Sequence, residues 1–158
     1  MGIAEKETKA STSKTKRIVE NIFSGSTFGE EIGFESAEFD ALYAIGYAHF
    51  MQANYSEALK FFQYLLLFNH FDRRAAVAAG ACYFGLKNYE EALKMFGMAL
   101  ILEPNDPELG LQIAKALLMS GKKEEAKAVL ASMKTDYKKT NNFSKINEEI
   151  QHLEEFLQ

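Results

Sequence analysis

The chain has 158 residues, 47% of them hydrophobic and 25% charged, with a net charge of −4. That balance suits one domain with its own core, and the mild negative charge is wrong in sign for a nucleic-acid backbone, which needs clustered Lys and Arg. The single cysteine, Cys82, excludes an internal disulfide, and apolar runs such as Tyr64–Phe68 fall far short of a membrane span.

Residues 1–15 are rich in Lys, Thr, Ser and Glu and offer little to bury, so a disordered polar segment is expected. No secretory apolar core opens the chain, which predicts a cytosolic protein without membrane insertion. Over 16–35, Ile18, Val19, Ile22 and Phe23 recur at helical spacing. Ser24-Gly25-Ser26 breaks that helix, and Thr27-Phe28-Gly29-Glu30 resembles a capping box opening a second short helix to about Phe34. Gly29 and Gly33 weaken it. Ser36 is the expected N-cap of the next helix, with Glu38 and Asp40 well placed at its positive end.

Then a repeat begins. Ala53-Asn54-Tyr55-Ser56-Glu57-Ala58-Leu59, Lys87-Asn88-Tyr89-Glu90-Glu91-Ala92-Leu93 and Gly121-Lys122-Lys123-Glu124-Glu125-Ala126-Lys127 align without a gap. Their alanines, 58, 92 and 126, are 34 residues apart, the tetratricopeptide (TPR) period. Twelve residues upstream stand Gly46, Gly80 and Ala114; four downstream stand Phe62, Phe96 and Leu130. Each unit is an antiparallel helix pair that cannot bury its apolar stripe alone. Small residues let the two helices approach, and the large ones fill the gap towards the next pair. The Asn-Tyr steps make the tight turns, and Pro104 stops the second helix of the middle unit.

An all-α solenoid follows. Its repeats span 39–72, 73–106 and 107–140, within a repeat region of 36–140. First helices are predicted near 38–52, 73–86 and 107–120, and second helices near 55–68, 89–102 and 123–136. In the last segment, 141–158, Phe143, Ile146, Ile150, Leu153 and Leu157 form one apolar stripe, as a capping helix requires.

In the tetratricopeptide units that this chain resembles, positions 2, 5, 9, 12 and 13 of each unit point into a concave groove. The candidate groove residues are therefore Tyr43, Tyr47, Phe50 and Met51 from the first unit, with Asp40 at its rim. Arg74, Val77, Ala81, Phe84 and Gly85 come from the second, and Leu111, Lys115, Leu118 and Met119 from the third, with Glu108 at the rim. Such a surface suits an extended peptide. Two or three apolar anchors at roughly 1.5–3 kcal/mol each contribute about 4–8 kcal/mol. Ordering the peptide backbone, at about 1–2 kcal/mol per residue, offsets most of that. A proline-containing segment loses less on binding.

Catalytic signals are absent. His49, His70 and His152 stand in no metal-binding spacing, and no phosphate-binding Gly-rich loop with its Lys occurs, so neither an enzyme nor a cofactor is expected. His49 and Cys82 read as packing residues.

The segments Leu42-Tyr43-Ala44-Ile45-Gly46-Tyr47, Asn54-Tyr55-Ser56-Glu57-Ala58, Asn69-His70-Phe71-Asp72-Arg73-Arg74 and Gly80-Ala81-Cys82 resemble the class II chaperones of bacterial type III secretion, the SycD/LcrH-like group. That group shows Asp-His-Tyr-Asp followed by Gly-Leu-Gly-Ala-Cys. Here Asn69 and Phe71 depart from the first motif, and residues 78–82 read Ala-Ala-Gly-Ala-Cys.

The resemblance covers roughly 16–157. It implies a cytosolic bacterial chaperone that keeps two hydrophobic translocator proteins soluble before they are secreted to form a pore in the host membrane. A Pro- and Leu-containing client segment would lie extended in the groove against Tyr43, Tyr47 and Phe50. Homodimerisation through the N-terminal helices would use Ile18, Ile22 and Phe23. The alternative is a generic TPR adaptor or scaffold of co-chaperone type. The carboxylate clamp of such adaptors needs Lys and Asn where this chain has Tyr43 and Tyr47, and Glu108 would repel its ligand.

Overall fold

The computed structural model describes residues 15–136 and 143–157, with side chains described from 145 onward in the second stretch. Residues 1–14, which carry nearly all of the expected disordered segment, lie outside the described residues, as do 137–142 at the junction of the third repeat and the last helix. Thr15 already begins a helix.

Among the described residues the architecture is entirely helical. The first helix, α1, spans 15–23. It is followed by α2 (Phe28–Ile32), α3 (Ser36–Met51), α4 (Tyr55–Phe68), α5 (Arg73–Gly85), α6 (Tyr89–Leu102), α7 (Pro107–Met119), α8 (Lys123–Asp136) and α9 (Phe143–Glu155). Helices α3 to α8 pack in chain order, each against the next, as stacked helix pairs do.

The small and large positions of the repeat meet as expected. A Cβ on Gly46 would lie 2.9 Å from Phe61 and 3.1 Å from the ring of Phe62, and one on Gly80 would lie 2.5 Å from the ring of Phe96. Phe62, Phe96 and Leu130 are fully buried. Phe62 shares its cluster with Ala75, Ala78, Ala79 and Cys82 of the next pair, so one side chain closes both the pair and the stack. The same holds for Phe96 with Leu109 and Ala116.

Caps account for the helix boundaries. Thr27 Oγ1 accepts from the Glu30 N–H at 3.2 Å while the Glu30 carboxylate accepts from the Thr27 N–H at 2.9 Å, completing the expected capping box. Gly29 does not weaken α2 without return: a Cβ there would stand 2.7 Å from the ring of Phe39, so its absence lets α2 sit against α3 and α4. The helix ends at Ile32, before Phe34, because Gly33 takes the left-handed conformation at φ 77°.

Ser36 is not a cap. Glu35 occupies the N-cap position, with its N–H donating to Glu38 at 2.8 Å, and Ser36 is the first helical residue. Asp72 and Asp106 cap α5 and α7 by accepting from Ala75 N and Leu109 N, each at 3.1 Å. Arg73 reaches across to Glu103 at 3.0 Å and also pairs with Asp106, tying the start of the second repeat to the start of the third.

At the C-terminal end α9 packs on both α7 and α8. Ile146, Ile150 and Leu157 are buried in one cluster with Leu111, Ala114, Leu117, Leu130 and Met133, and Leu153 packs against it. The stripe therefore works as a cap. Its register continues the repeat: Lys115 of α7 pairs with Glu149 of α9 at 3.5 Å, and the two are 34 residues apart. Helix α9 therefore stands where the first helix of a further unit would.

Candidate peptide-binding face

The first helices of successive units share one face. Position 2 of the first unit meets position 2 of the next, since Asp40 Oδ1 accepts from Arg74 Nη1 at 3.0 Å. Asp72, itself buried, holds the same guanidinium at 3.5 Å. Asp40 keeps Arg74 firmly protonated, raising its pKa further. The guanidinium stands 5.3 Å from the centroid of the Tyr43 ring.

From Tyr43 a ladder of rings runs along α3. Tyr43 stacks on Tyr47 at 6.3 Å, Tyr47 on Phe50 at 6.1 Å, and Phe50 tilts against Tyr55 at 5.5 Å. The spacing 43, 47, 50 places all three on one side of the helix, while Gly46 turns inward to Phe62. The ladder is graded in depth. Tyr43 is half-buried against Phe62 at 5.4 Å, and burial raises its phenol pKa against the opposing effect of Arg74. Tyr47 is 47% exposed and Met51 67% exposed. The exposed part of these side chains is apolar surface that a ligand could cover.

The second unit supplies Val77, Ala81 and Phe84, all half-buried, with Phe84 meeting Tyr89 edge-on at 5.4 Å. Gly85 is not an open groove position. A Cβ there would come within 2.6 Å of the Tyr55 ring, so Gly85 is the seat of the turn aromatic of the preceding unit.

In the third unit one expectation fails. Leu111 is only 3% exposed and belongs to the core beneath α9, because the capping helix covers the position that stays half-exposed in earlier units. Lys115 and Leu118 remain half-buried and Met119 exposed. With Phe84, Lys123, Leu153 and Phe156 they line a cavity of about 340 Å³ between α5, α7 and the end of α9. Leu153 and Phe156 are lining residues of this face that the repeat arithmetic missed. The signal was available in the 34-residue offset from Met119 to Leu153, which extends the groove positions into α9.

The N-terminal residues stand apart from this face. Helix α1 is joined to α2 by the Asn21 amide donating to Glu31 at 2.9 Å. Phe23 is 89% exposed and Val19 is exposed, with Ile18 and Ile22 half-buried. His49 stacks on Phe61 at 5.6 Å. Cys82 is fully buried, and burial pushes its thiol up to about 11, which leaves it unreactive at neutral pH. No cluster of His, Cys, Asp or Glu among the described residues could hold a metal, and no described helix is long and apolar enough to cross a membrane.

Comparison with known proteins agrees with this geometry. A family model described as tetratricopeptide repeat matches residues 83–144, and one described as anaphase-promoting complex, cyclosome, subunit 3, matches 27–99. No curated protein matches the chain. Among solved structures, a type III secretion system complex from Aeromonas hydrophila superposes with a TM-score of 0.81 at 20% identity, over 90% of this chain and 95% of that one. The Yersinia enterocolitica type III secretion translocator chaperone SycD superposes at 0.73 and 22% identity, over 83% of this chain and 98% of that one. SycD bound to a peptide of the translocator YopD superposes at 0.71 and 22% identity, over 78% and 94%. The chain thus has the tetratricopeptide fold of the type III secretion translocator chaperones.

Proposed function

We propose that this chain is a cytoplasmic bacterial chaperone for type III secretion translocators, binding an extended Pro- and Leu-containing segment of a hydrophobic client along its first-helix face. The observation that carries the reading is the Tyr43–Tyr47–Phe50 ladder, in which Tyr47 is 47% exposed and Tyr43 and Phe50 only half-buried although the rings are large enough to have served as core. A structural neighbour holds a translocator peptide, and a peptide backbone laid along such a ladder would meet stacked rings with the Arg74 guanidinium at one end. The work is binding, with no cofactor and no catalytic step. Arg74 is held at a fixed angle by Asp40 and Asp72, so it offers directed donors to the client's carbonyl groups.

Co-expression tests this directly. The chaperone should keep a membrane-active translocator in the soluble fraction, and Tyr47→Ala should abolish co-purification while lowering the thermal melt of the chaperone by a few degrees at most. Retained co-purification with Tyr47→Ala would remove the ladder from the binding site.

The apolar side of α1, with Phe23 at its tip, fits self-association into a homodimer through Ile18, Ile22 and Phe23. Sedimentation should then show a dimer that Phe23→Glu converts to monomer; a wild-type chain that stays monomeric at high concentration would exclude it.

A further inference from the structure

Building on the peptide-holding reading above, we propose that the cavity between α5, α7 and the end of α9 seats an apolar client side chain that has an acidic residue as its neighbour. The lining is apolar where the side chain would enter, with Phe84, Leu118, Leu153 and Phe156 as walls. A space of about 340 Å³ is at the small end of ligand pockets and suits one or two side chains. Phe156 at 74% exposed and Met119 at 58% exposed leave apolar surface that an inserted side chain would cover.

The rim carries the selectivity. Its charged members are Lys115 and Lys123. Lys115 has a loose partner in Glu149 at 3.5 Å. Lys123 pairs with no carboxylate among the described residues, and it opens α8, where the positive end of the helix disfavours a cation. Its neighbour Lys122 is already engaged by Glu90 at 2.8 Å. A lysine without an ion pair among the described residues thus lines an apolar hole, and an incoming carboxylate would give it one. The opposite end of the face is built the other way, since Asp40 and Asp72 already balance the charge of Arg74. The groove therefore has a direction: acidic client residues belong at the α9 end.

The probe is a set of fluorescein-labelled peptides on one Pro/Leu frame, with a terminal Leu flanked by Asp, Asn or Lys, placed at either end of the frame. Their binding to the full chain is read by fluorescence anisotropy. The Asp peptides should bind about fivefold tighter than the Lys peptides, as two half-exposed ion pairs allow, with Asn between them. High salt should close the gap. Lys123→Glu, which breaks no ion pair, should remove most of the preference, and Phe156→Ala at its exposed position should weaken all three peptides alike. Equal affinity across the three flanks overturns this inference and leaves the groove reading intact. Failure of every peptide to bind the folded chain overturns both.

Discussion

Helices α3 and α5 occupy the same place in consecutive repeats, yet their sequences and their burial run in opposite directions. Helix α3 carries Phe39, Leu42, Tyr43, Ile45, Tyr47, Phe50 and Met51, and its buried residue is Gly46. Helix α5 is built from alanines, and Ala75, Ala76, Ala78, Ala79, Gly80 and Cys82 are all buried. The helix with the larger apolar side chains is the more exposed one. Position in the stack explains this: α5 has α4 on one side and α6 on the other, whereas α3 begins the stack. A central helix squeezed between neighbours must be small. A terminal first helix packs its rings against α4 but has no preceding repeat to cover them, so Tyr47 and Met51 keep exposed surface for a partner.

The comparison breaks most visibly under truncation. Phe96, which fills the space left by Gly80, should lose about 3–5 kcal/mol of stability as Phe96→Ala, since a buried ring leaves a cavity that the alanine-walled stack cannot collapse around. Tyr47→Ala should cost about 1 kcal/mol or less, as its ring is half in water and is held by two stacking neighbours. Urea denaturation of the two variants measures both. Similar losses would mean that the α3 ladder is core after all and that the contrast with α5 is false.

Cys82 gives the next largest effect and probes the tight centre of α5 alone. Its thiol is raised from an ordinary value of 9.0 to about 11 because burial penalises the thiolate. The folded state therefore holds the proton more tightly than the unfolded state. The contribution is complete below pH 9, falls as pH rises from about 9 to about 11, and amounts to roughly 2–3 kcal/mol over that window. Cys82→Ala lacks this group, so the stability difference between wild type and variant should narrow across the window as tyrosine and lysine titrations cancel. A constant difference would mean that the thiol is not sealed in the stack.

These contrasts also mark what was legible beforehand. The repeat was readable because alanines 58, 92 and 126 and their small and large companions obey one packing rule, so helix limits came within a residue or two. The ladder was readable because 43, 47 and 50 share a face opposite Gly46. Leu111 was misread because a position that is half-exposed in two units is closed in the third by α9, a tertiary effect absent from any single unit. Gly29 and Gly85 look like helix weakeners or open positions in one dimension; only three-dimensional contact with Phe39 and Tyr55 reveals why no side chain stands there. The Glu35 cap escaped because a Ser adjoined it, and serine is the commoner cap.

The smallest effect lies in the turns between the helices of each pair. The residue before the Asn of each of the first two turns adopts left-handed backbone: Ala53 at φ 60° and Lys87 at φ 61°, with Gly121 at φ 81° in the third unit. All three stand at the same place in the repeat, 34 residues apart, but only the third unit uses glycine. A side chain in this region costs about 1–2 kcal/mol through the clash of Cβ with the carbonyl, and glycine gives back part of that through the larger entropy of its unfolded chain. Lys87→Gly should therefore stabilise by about 0.5–1 kcal/mol, and Gly121→Ala should destabilise by a similar amount, both read from denaturation midpoints. If Lys87→Gly is neutral or destabilising, the Lys87 side chain contributes to the turn, and the first two units differ from the third in more than the residue chosen for a common backbone. If both shifts appear with opposite sign, the three turns are one structure, and the strain in the first two is simply tolerated because the α3–α4 and α5–α6 pairs on either side are packed well enough to hold it.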